Sequence, residues 1–333
     1  MRSGKKVVVI VSGIILGLFL VSSPQAQVIS IKFADALPPT WCYYQGMKAY
    51  QAYVEQKLPN RVKMEIYTGG VLGDQKTLLE STRMGALQMC FITSAVSQSV
   101  APSRQAWSIP YMFKTSEEFY RFAYGSVAIE IGNEIEKAGL KFVTWVSAGE
   151  RGIALRSKCF SNPETMKGMK IRVMQDPIQA SIIAHMGGNS VPMSLSELFT
   201  AIQTGQVDGA EIGPTLTVTG KYSDICKAYA RTLHFRVPGE VLANLKWWNE
   251  LPADIRKVLE DGIPVLRKAN DDYIDRAEGT SDLGSLKFME NKGIEMCPVD
   301  LEAFKKGTSP VVGELRKTIG GATVDKVLKA VGY

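Results

Sequence analysis

Short apolar runs alternate with amphipathic segments along the first third of the chain. Apolar residues recur every three or four positions over 41–58, which predicts a helix, and Asp74 stands where a second helix over 75–84 needs its N-terminal cap. Three segments have the alternating or continuous apolar pattern of strands: 28–34, 61–67 and 87–92. This β-α-β-α-β order predicts a mainly parallel sheet flanked by helices.

A second α/β region begins near Ser147. Its predicted strands and helices are 169–173, 177–186, 196–204 and 207–212. Further on, Pro264 interrupts the apolar periodicity of a long helix that starts after Leu251, and we expect it to kink or break that helix. Because no flexible linker separates the two regions, we predict an α/β protein of two lobes joined by crossing strands, with a ligand cleft between them.

The N-terminus has the layout of a secretory signal peptide. Basic residues precede an apolar run over 7–21, and small and polar residues follow as far as Gln27. The run is short for a bilayer span, which needs about 20 residues, although an uncleaved membrane anchor is the alternative. We expect cleavage after Ala26 and therefore export. No cysteine lies in this segment, so a lipid anchor is not expected.

The charge balance argues against a nucleic-acid or membrane-surface partner. The chain of 333 residues has 39 lysines and arginines against 33 aspartates and glutamates, a net charge of +6. Three of the basic residues lie in the predicted signal peptide, so the mature chain would carry only +3. A charge this small predicts no polyanionic partner and is compatible with a small anionic ligand.

The chain lacks the motifs of common enzyme classes. It contains no G-x-S-x-G, H-E-x-x-H or phosphate-binding loop, and its two histidines, His185 and His234, are interpreted as residues at apolar helix ends. The five cysteines are at least 48 residues apart, so no C-x-x-C metal or redox motif exists. Their odd number leaves at least one thiol free, and no pairing can be assigned. Cys90 is predicted to be a core residue. We expect no catalytic group, no metal site and no cofactor.

Four strings, in matching order and spacing, resemble the solute-binding proteins of tripartite ATP-independent periplasmic (TRAP) transporters, the DctP family. They are 67–74 (YTGGVLGD), 166–173 (MKGMKIRV), 192–209 (PMSLSELFTAIQTGQVDG) and 246–252 (KWWNELP). The similarity spans nearly all of the chain beyond the predicted signal peptide, and the long third string is specific.

The resemblance implies a periplasmic-binding-protein-like fold, in which two α/β lobes are hinged by strands and a long helix spans both. The implied division is a signal peptide over 1–26, lobe I over 27–149 with about 238–277, and lobe II over 150–237 with about 278–333. A monomer in the periplasm would bind its ligand between the lobes. It would deliver this cargo to a cation-driven permease with a small and a large membrane subunit, without covalent chemistry.

The resemblance also implies the main ligand contacts. Arg172, the arginine of the family's K-I-R-V string, would form a salt bridge with the ligand carboxylate, for which a planar guanidinium is suited. From the sequence alone, a solvated cation on the strand face beside Lys170 is the alternative. Arg151 falls where many members have a second cleft arginine; the alternatives are a surface charge or a partner for Glu150. Glu211 matches a family glutamate.

The ligand itself is less well defined. Ile212, with Gly213 inserted after it, replaces the polar asparagine that commonly helps to hold the carboxylate. Further pocket candidates are Trp41, Tyr44, Phe91, Thr93 and Phe235, although Trp41 and Tyr44 fit equally well as packing under the first helix. Together these residues favour a monocarboxylate with an apolar or aromatic body, such as a 2-oxo or hydroxy acid. An organosulfonate is the rival ligand.

Three classes of function remain compatible with the sequence. The first is a periplasmic receptor for uptake of an organic anion. The second is a sensor that passes its ligand to a membrane receptor kinase, which the sequence does not separate from transport. The third, a secreted enzyme, would need an acid–base pair in the cleft, and the chain offers no strong candidate for one.

Overall fold

The computed structural model describes residues 4, 28–278 and 284–332. Apart from Gly4, the predicted signal peptide and its cleavage site therefore lie outside the described residues. Within the described part of the chain, no helix combines the length and the apolar character that a membrane span requires.

Strands and helices alternate through most of the described chain. The strands are β1 (Ile29–Asp35), β2 (Val62–Tyr67), β3 (Met89–Thr93), β4 (Leu140–Glu150), β5 (Gly152–Leu155), β6 (Lys170–Val173), β7 (Asn189–Pro192), β8 (Gly209–Ile212), β9 (Ala228–Ala230), β10 (Arg236–Asn244) and β11 (Glu295–Met296). The first helices are α1 (Cys42–Lys57), α2 (Gln75–Arg83), α3 (Ser94–Ser97), α4 (Ser116–Ala123), α5 (Ser126–Asn133), α6 (Pro163–Met166), α7 (Pro177–His185) and α8 (Leu195–Thr204). The later helices are α9 (Pro214–Thr219), α10 (Leu245–Glu250), α11 (Ala253–Asp261), α12 (Ile263–Glu278), α13 (Ser285–Asn291), α14 (Leu301–Thr308), α15 (Val311–Ile319) and α16 (Gly321–Val331). Short 3-10 helices lie at Pro102–Ser108, Glu134–Ala138 and Tyr222–Asp224.

The predicted two-lobed α/β fold is confirmed. The first lobe is built on a five-stranded sheet in the order β2-β1-β3-β10-β4, and the second on a six-stranded sheet in the order β11-β9-β5-β8-β6-β7. The strands β1, β2 and β3 are parallel, as the sequence predicts. In contrast, β10 is antiparallel to both β3 and β4, and β5 is antiparallel to β8 and β9. These strands run the other way because the chain enters each of them from the opposite lobe.

The lobes are joined at several crossings. The first runs from β4 through Arg151 into β5, and the second, residues 231–235, leads from β9 back to β10. The helix α12 packs on α1 and β4 of the first lobe and also contacts α9 of the second. Near the C-terminus, α14 packs on α6 and α7, whereas α16 contacts α4 and α5 of the first lobe. The lobe boundaries expected from the sequence stay a prediction.

Local sequence signals explain several element ends. The side chain of Asp74 accepts a hydrogen bond from the Thr77 amide at 2.8 Å, so the predicted cap of α2 is confirmed. The predicted break in the long helix is also found: α11 ends before Gly262, and Pro264 is the second residue of α12. Proline is tolerated there because the first turn of a helix leaves its amides unpaired in any case.

One disulfide links two loops of the second lobe. It joins Cys159, which follows β5, to Cys297, which follows β11. Cys42, Cys90 and Cys226 are free and buried. The expectation of at least one free thiol and the core position of Cys90 are therefore confirmed. The residue pattern alone did not assign the pairing of Cys159 with Cys297.

The two sheets present their carboxyl edges to each other. In the first lobe, β1 and β3 end at Asp35 and Thr93, and Thr93 pairs with Gly239 in the first half of β10. In the second lobe, β6 and β8 end at Val173 and Ile212, next to the start of β5. Residues just before or after these strand ends therefore converge between the lobes, where α/β proteins bind their ligands.

Candidate functional site

Arg172 lies at the carboxyl end of β6 and is buried between the lobes, with only 3% of its surface exposed. Because Arg172 is buried, the alternative of a solvated arginine on the strand face is wrong, although its neighbour Lys170 is exposed. Its Nε and Nη2 donate to the carbonyl oxygen of Met193 at 3.1 and 2.9 Å. Among the described residues no carboxylate lies within 4.0 Å of its guanidinium, and no acceptor is bonded to Nη1.

Burial lowers the pKa of Arg172 to about 10, while the charge of nearby Glu211 acts in the opposite direction. The guanidinium therefore remains a cation at neutral pH. A buried cation with an uncommitted donor is suited to an anionic ligand, because a carboxylate supplies both the missing charge and the missing acceptor.

Arg151, Glu211 and His234 lie beside Arg172, and these four residues are called the cleft cluster below. The Nε of Arg151 lies 3.2 Å from Glu211 Oε1, but the two atoms do not have hydrogen-bond geometry. His234 Nε2 lies 3.7 Å from the same oxygen, and its Nδ1 is 2.7 Å from Thr232 Oγ1. Neither carboxylate oxygen of Glu211 accepts a hydrogen bond from the described residues. Arg151 and Glu211 are therefore paired by charge, without a completed hydrogen bond between them.

Burial determines the protonation of this cluster. It raises the pKa of Glu211, with Arg151 and Arg172 acting in the opposite direction. Burial, reinforced by the charge of Arg151, lowers the pKa of His234 to about 3. His234 is therefore neutral at physiological pH and adds no positive charge to the cleft.

The interpretation of His234 as a helix-end residue is wrong. It is buried in the second crossing, between β9 and β10, where no helix exists. An apolar neighbourhood is typical of both settings, so the sequence did not distinguish them. The same interpretation is confirmed for His185, which ends α7 and lies 2.8 Å from Glu314 Oε1.

Glu150 is not the partner of Arg151. It is held instead by Arg231, whose Nε and Nη2 donate to its two oxygens at 2.7 and 2.8 Å. Glu278, at the end of α12, accepts from the Glu150 amide at 2.8 Å and lies 3.5 Å from Arg236. Glu150, Arg231, Arg236 and Glu278 are called the hinge cluster below. Burial, followed by the charge of Glu150, raises the pKa of Glu278 to about 8.

Met174 connects the two sides of the cleft and was not predicted. Its sulfur lies 3.7 Å from Arg151 Nη2 and 3.9 Å from Thr93 Oγ1. Thr93 belongs to the first lobe, and its amide and hydroxyl also donate to Gln75 Oε1 at 2.9 and 3.0 Å. The position of Met174, two residues after Arg172, was the only available signal for it.

An aromatic stack lies in the buried core of the first lobe. Phe91 is buried in β3, and the ring of Tyr43 stacks on it with centroids 3.9 Å apart. Trp41 is buried and meets Tyr43 edge-on at 6.2 Å, whereas Tyr44 is only half-buried. Trp41 Nε1 and Tyr43 Oη have no hydrogen-bond partner in the described chain. The sequence pointed to Tyr44, but helix geometry turns its neighbour Tyr43 toward the sheet.

Ile212, Gly213 and Phe235 shape the site through their backbone. The carbonyl oxygen of Phe235 accepts a hydrogen bond from the Arg151 amide at 2.9 Å. Ile212 is buried at the end of β8, and its carbonyl oxygen accepts from Tyr229 at 3.1 Å. A β-carbon at Gly213 would lie 2.5 Å from the Glu150 carbonyl oxygen, so a side chain there would displace the first crossing.

A second contact between the lobes involves Asp176. Its carboxylate caps α7 by accepting from the Ile178 amide at 2.8 Å, and the hydroxyl of Ser108, in the first lobe, donates to it at 3.4 Å. Burial raises the pKa of Asp176. Across the described ranges, no group of three or more histidine, cysteine, aspartate or glutamate side chains is arranged to hold a metal ion.

The fold is that of two-lobed TRAP periplasmic solute-binding proteins. One similar structure is such a protein from Anaerococcus prevotii with bound α/β-D-glucuronate. It is 26% identical, with a TM-score of 0.85, and the match covers 91% of this chain and 98% of that one. Another, from Citrobacter koseri with bound D-glucuronate, is 28% identical with a TM-score of 0.80, and the match covers 90% and 98% of the chains.

Sequence comparison leads to the same family. The family described as bacterial extracellular solute-binding protein, family 7 (DctP) matches residues 33–318. A solute-binding protein from Chromohalobacter salexigens is 27% identical over 240 residues, which are 72% of this chain and 71% of that protein. The chain belongs to family 7 of the bacterial extracellular solute-binding proteins, the DctP family.

Proposed function

We propose that this protein is the periplasmic solute-binding subunit of a TRAP transporter. It captures a small organic acid between its lobes and delivers it to the small and large membrane subunits of the permease. The observation that carries the proposal is Arg172, a buried cation between the lobes that is bonded only to a main-chain carbonyl oxygen in the described structure.

The electrostatics of the cleft cluster support an anionic ligand. Arg151 and Arg172 are two cations, Glu211 is a single carboxylate that contacts Arg151, and His234 is neutral. One ligand carboxylate would balance the second cation. Because opposite charges interact more strongly where water is excluded, lobe closure around the acid would strengthen this salt bridge. The bound acid therefore shifts the equilibrium toward the closed form.

We propose further that the acid is a sugar acid, in place of the apolar or aromatic monocarboxylate expected from Ile212 and the aromatic residues. Trp41 Nε1, Tyr43 Oη and both oxygens of Glu211 are buried without hydrogen-bond partners in the described chain. An apolar body would leave these atoms unpaired, at about 1–3 kcal/mol for each buried group. Hydroxyl groups both donate and accept, and the two similar solved proteins contain D-glucuronate.

A thermal-shift and calorimetric screen of the mature protein tests both parts of this proposal. The probes are D-glucuronate, D-gluconate, 4-methyl-2-oxopentanoate and isethionate, which represent sugar acids, apolar 2-oxo acids and sulfonates. A ligand at 100 times its Kd adds about 2.7 kcal/mol to the free energy of unfolding, a shift of several degrees in Tm. We expect stabilisation by a sugar acid. A response to 4-methyl-2-oxopentanoate or isethionate alone would overturn the proposed ligand class.

The arginine has its own control. Arg172→Ala should abolish the response to every acid, whereas Arg316→Ala, which removes an exposed arginine that links α15 to Asp325 of α16, should leave it unchanged. Equal responses from Arg172→Ala and the wild type would refute the anion-binding role.

Delivery of the ligand to the permease is tested by uptake into vesicles that contain the two permease subunits. We expect transport to require this protein. Binding without such uptake would favour a sensor role.

A further inference from the structure

The side chain of Met174, in the second lobe, contacts both Arg151 in the first crossing and Thr93 in the first lobe. It follows β6 directly and is two residues beyond Arg172, so it stands beside the position at which Arg172 would hold a carboxylate. It is only partly buried, unlike the cleft cluster around it. Its sulfur therefore touches donors from two separate parts of the molecule.

These contacts are chemically weak. A thioether sulfur is a poor hydrogen-bond acceptor, whereas the guanidinium of Arg151 is a charged donor that bonds best to carboxylate or hydroxyl oxygen. The hydroxyl of Thr93 is already shared with Gln75 at 3.0 Å, so its contact with the sulfur is secondary. The Nη2 of Arg151 has no other acceptor among the described residues. A ligand oxygen that reached this point would therefore replace the sulfur.

We propose that Met174 is a specificity-determining residue, because its side chain occupies the space beside Arg151 and Thr93 into which the hydroxylated end of a bound acid extends. The inference rests on the proposed function, since it requires an acid held by Arg172. Methionine is unbranched and flexible, so it can turn aside for a ligand, but its volume limits how long that ligand can be.

Three substitutions separate the size of this side chain from its acceptor chemistry. Met174→Ala gives more room, Met174→Leu keeps the volume without the sulfur, and Met174→Gln keeps the length but adds a strong acceptor for Arg151. The matched control is Met84→Ala, because Met84 is exposed at the end of α2, away from the cleft. The probes are D-erythronate, D-gluconate and D-glucoheptonate, which have four, six and seven carbons.

Kd values are measured by calorimetry for each variant and probe. We expect Met174→Ala to shift the ratio of affinities toward D-glucoheptonate over D-erythronate by about tenfold, and Met174→Leu and Met84→Ala to shift it by less than about threefold. Met174→Gln should weaken all three acids by about tenfold, because its amide oxygen competes for Arg151.

The outcomes distinguish this inference from the function on which it rests. Unchanged ratios in Met174→Ala, together with undiminished binding in Met174→Gln, overturn the role of Met174 if Arg172→Ala still abolishes binding. If Arg172→Ala binds the acids as the wild type does, the proposed function fails instead. Should Met174→Ala not fold, the nearly isosteric Leu and Gln variants decide the question, because only the competing acceptor of the Gln variant should weaken binding.

Discussion

Two buried sets of arginine and glutamate serve different purposes in this protein. In the first lobe, Arg104 and Glu240 are fully buried, and Nε and Nη2 of Arg104 donate to one oxygen of Glu240 at 3.2 and 3.1 Å. Arg104 also donates to the carbonyl oxygens of Ile131 and Gly132 at 3.0 and 2.9 Å, and Ser97 bonds to the second oxygen of Glu240. All three nitrogens of the guanidinium are engaged, and both oxygens of the carboxylate accept.

The cleft cluster also contains buried arginine and glutamate, but their hydrogen bonds are incomplete. Arg172 donates to a single carbonyl oxygen, and Glu211 accepts no hydrogen bond in the described chain. Burying a charge is favourable only when it is paired and its hydrogen bonds are made. The complete pair therefore stabilises the fold of the first lobe, whereas the incomplete cluster is suited to a ligand that completes it.

The largest effect is expected from breaking the complete pair. Arg104→Ala leaves Glu240 as an unpaired buried charge and should lower the free energy of unfolding by about 3–5 kcal/mol. Urea unfolding measures this change. The double variant Arg104→Met, Glu240→Leu should recover much of the loss, because it removes both charges. A loss below about 1 kcal/mol in the single variant would contradict the distinction between the two sets.

Arg172→Lys is the corresponding change in the cleft cluster. It keeps the positive charge but replaces the planar fork by a single ammonium, so binding of the sugar acid should weaken about 100-fold, or about 2.7 kcal/mol. The unfolding free energy of the ligand-free protein should change by less than about 1 kcal/mol. Calorimetric titration and urea unfolding of the same preparation measure both values. A stability loss as large as that of Arg104→Ala would show that Arg172 is mainly structural.

The hinge cluster is intermediate between these two sets in how completely its hydrogen bonds are made. Glu150 is well bonded, whereas one oxygen of Glu278 accepts no hydrogen bond in the described chain and only lies near Arg236. Between its usual pKa of 4.5 and its raised pKa of about 8, Glu278 holds a proton in the folded protein that the unfolded chain has lost. The free energy of unfolding should therefore fall as pH rises through this window. Its neighbours in the cluster are Glu150 and Arg236, and Asp275 on its own helix raises its pKa further.

Glu278→Gln tests this dependence. Between pH 6.5 and 8.5 the wild type should lose stability on the order of 1–2 kcal/mol that the variant retains. Thermal unfolding at several pH values measures the difference. The range starts at 6.5 because below it the depressed pKa of His234 acts in the opposite direction: the unfolded chain binds a proton there that folded His234 does not. If the stability of the wild type and of Glu278→Gln changed with pH in the same way, the raised pKa of Glu278 would be contradicted.

The smallest effect concerns His234 and ligand binding. Because its pKa is lowered to about 3, it should not titrate in the folded protein between pH 5.5 and 7.5. Kd for the sugar acid should therefore follow the same pH profile in the wild type and in His234→Gln, with values within about threefold. Calorimetry across this range is the measurement. An inflection near pH 6.5 that disappears in the variant would mean that His234 is charged in the cleft.

The sequence by itself determined the elements whose signals are local. The alternation over 61–67 predicted β2, the periodicity over 41–58 predicted α1, and Asp74 and Pro264 marked helix boundaries that the structure has. Such signals survive folding because capping, proline geometry and one-sided burial act within a few residues. The family also followed from contiguous strings, and with it the candidate role of Arg172.

Only the tertiary structure decided what depends on residues far apart in the chain. The antiparallel direction of β5 and β10 and the disulfide between Cys159 and Cys297 are seen only in the structure. The same holds for the position of His234 in the second crossing instead of at a helix end, and for the contacts of Met174 with Arg151 and Thr93. Each of these facts depends on which segments meet after the chain has crossed between the lobes. The spacing of residues along a strand or helix does not specify these long-range contacts, because many tertiary arrangements satisfy the same local pattern of burial.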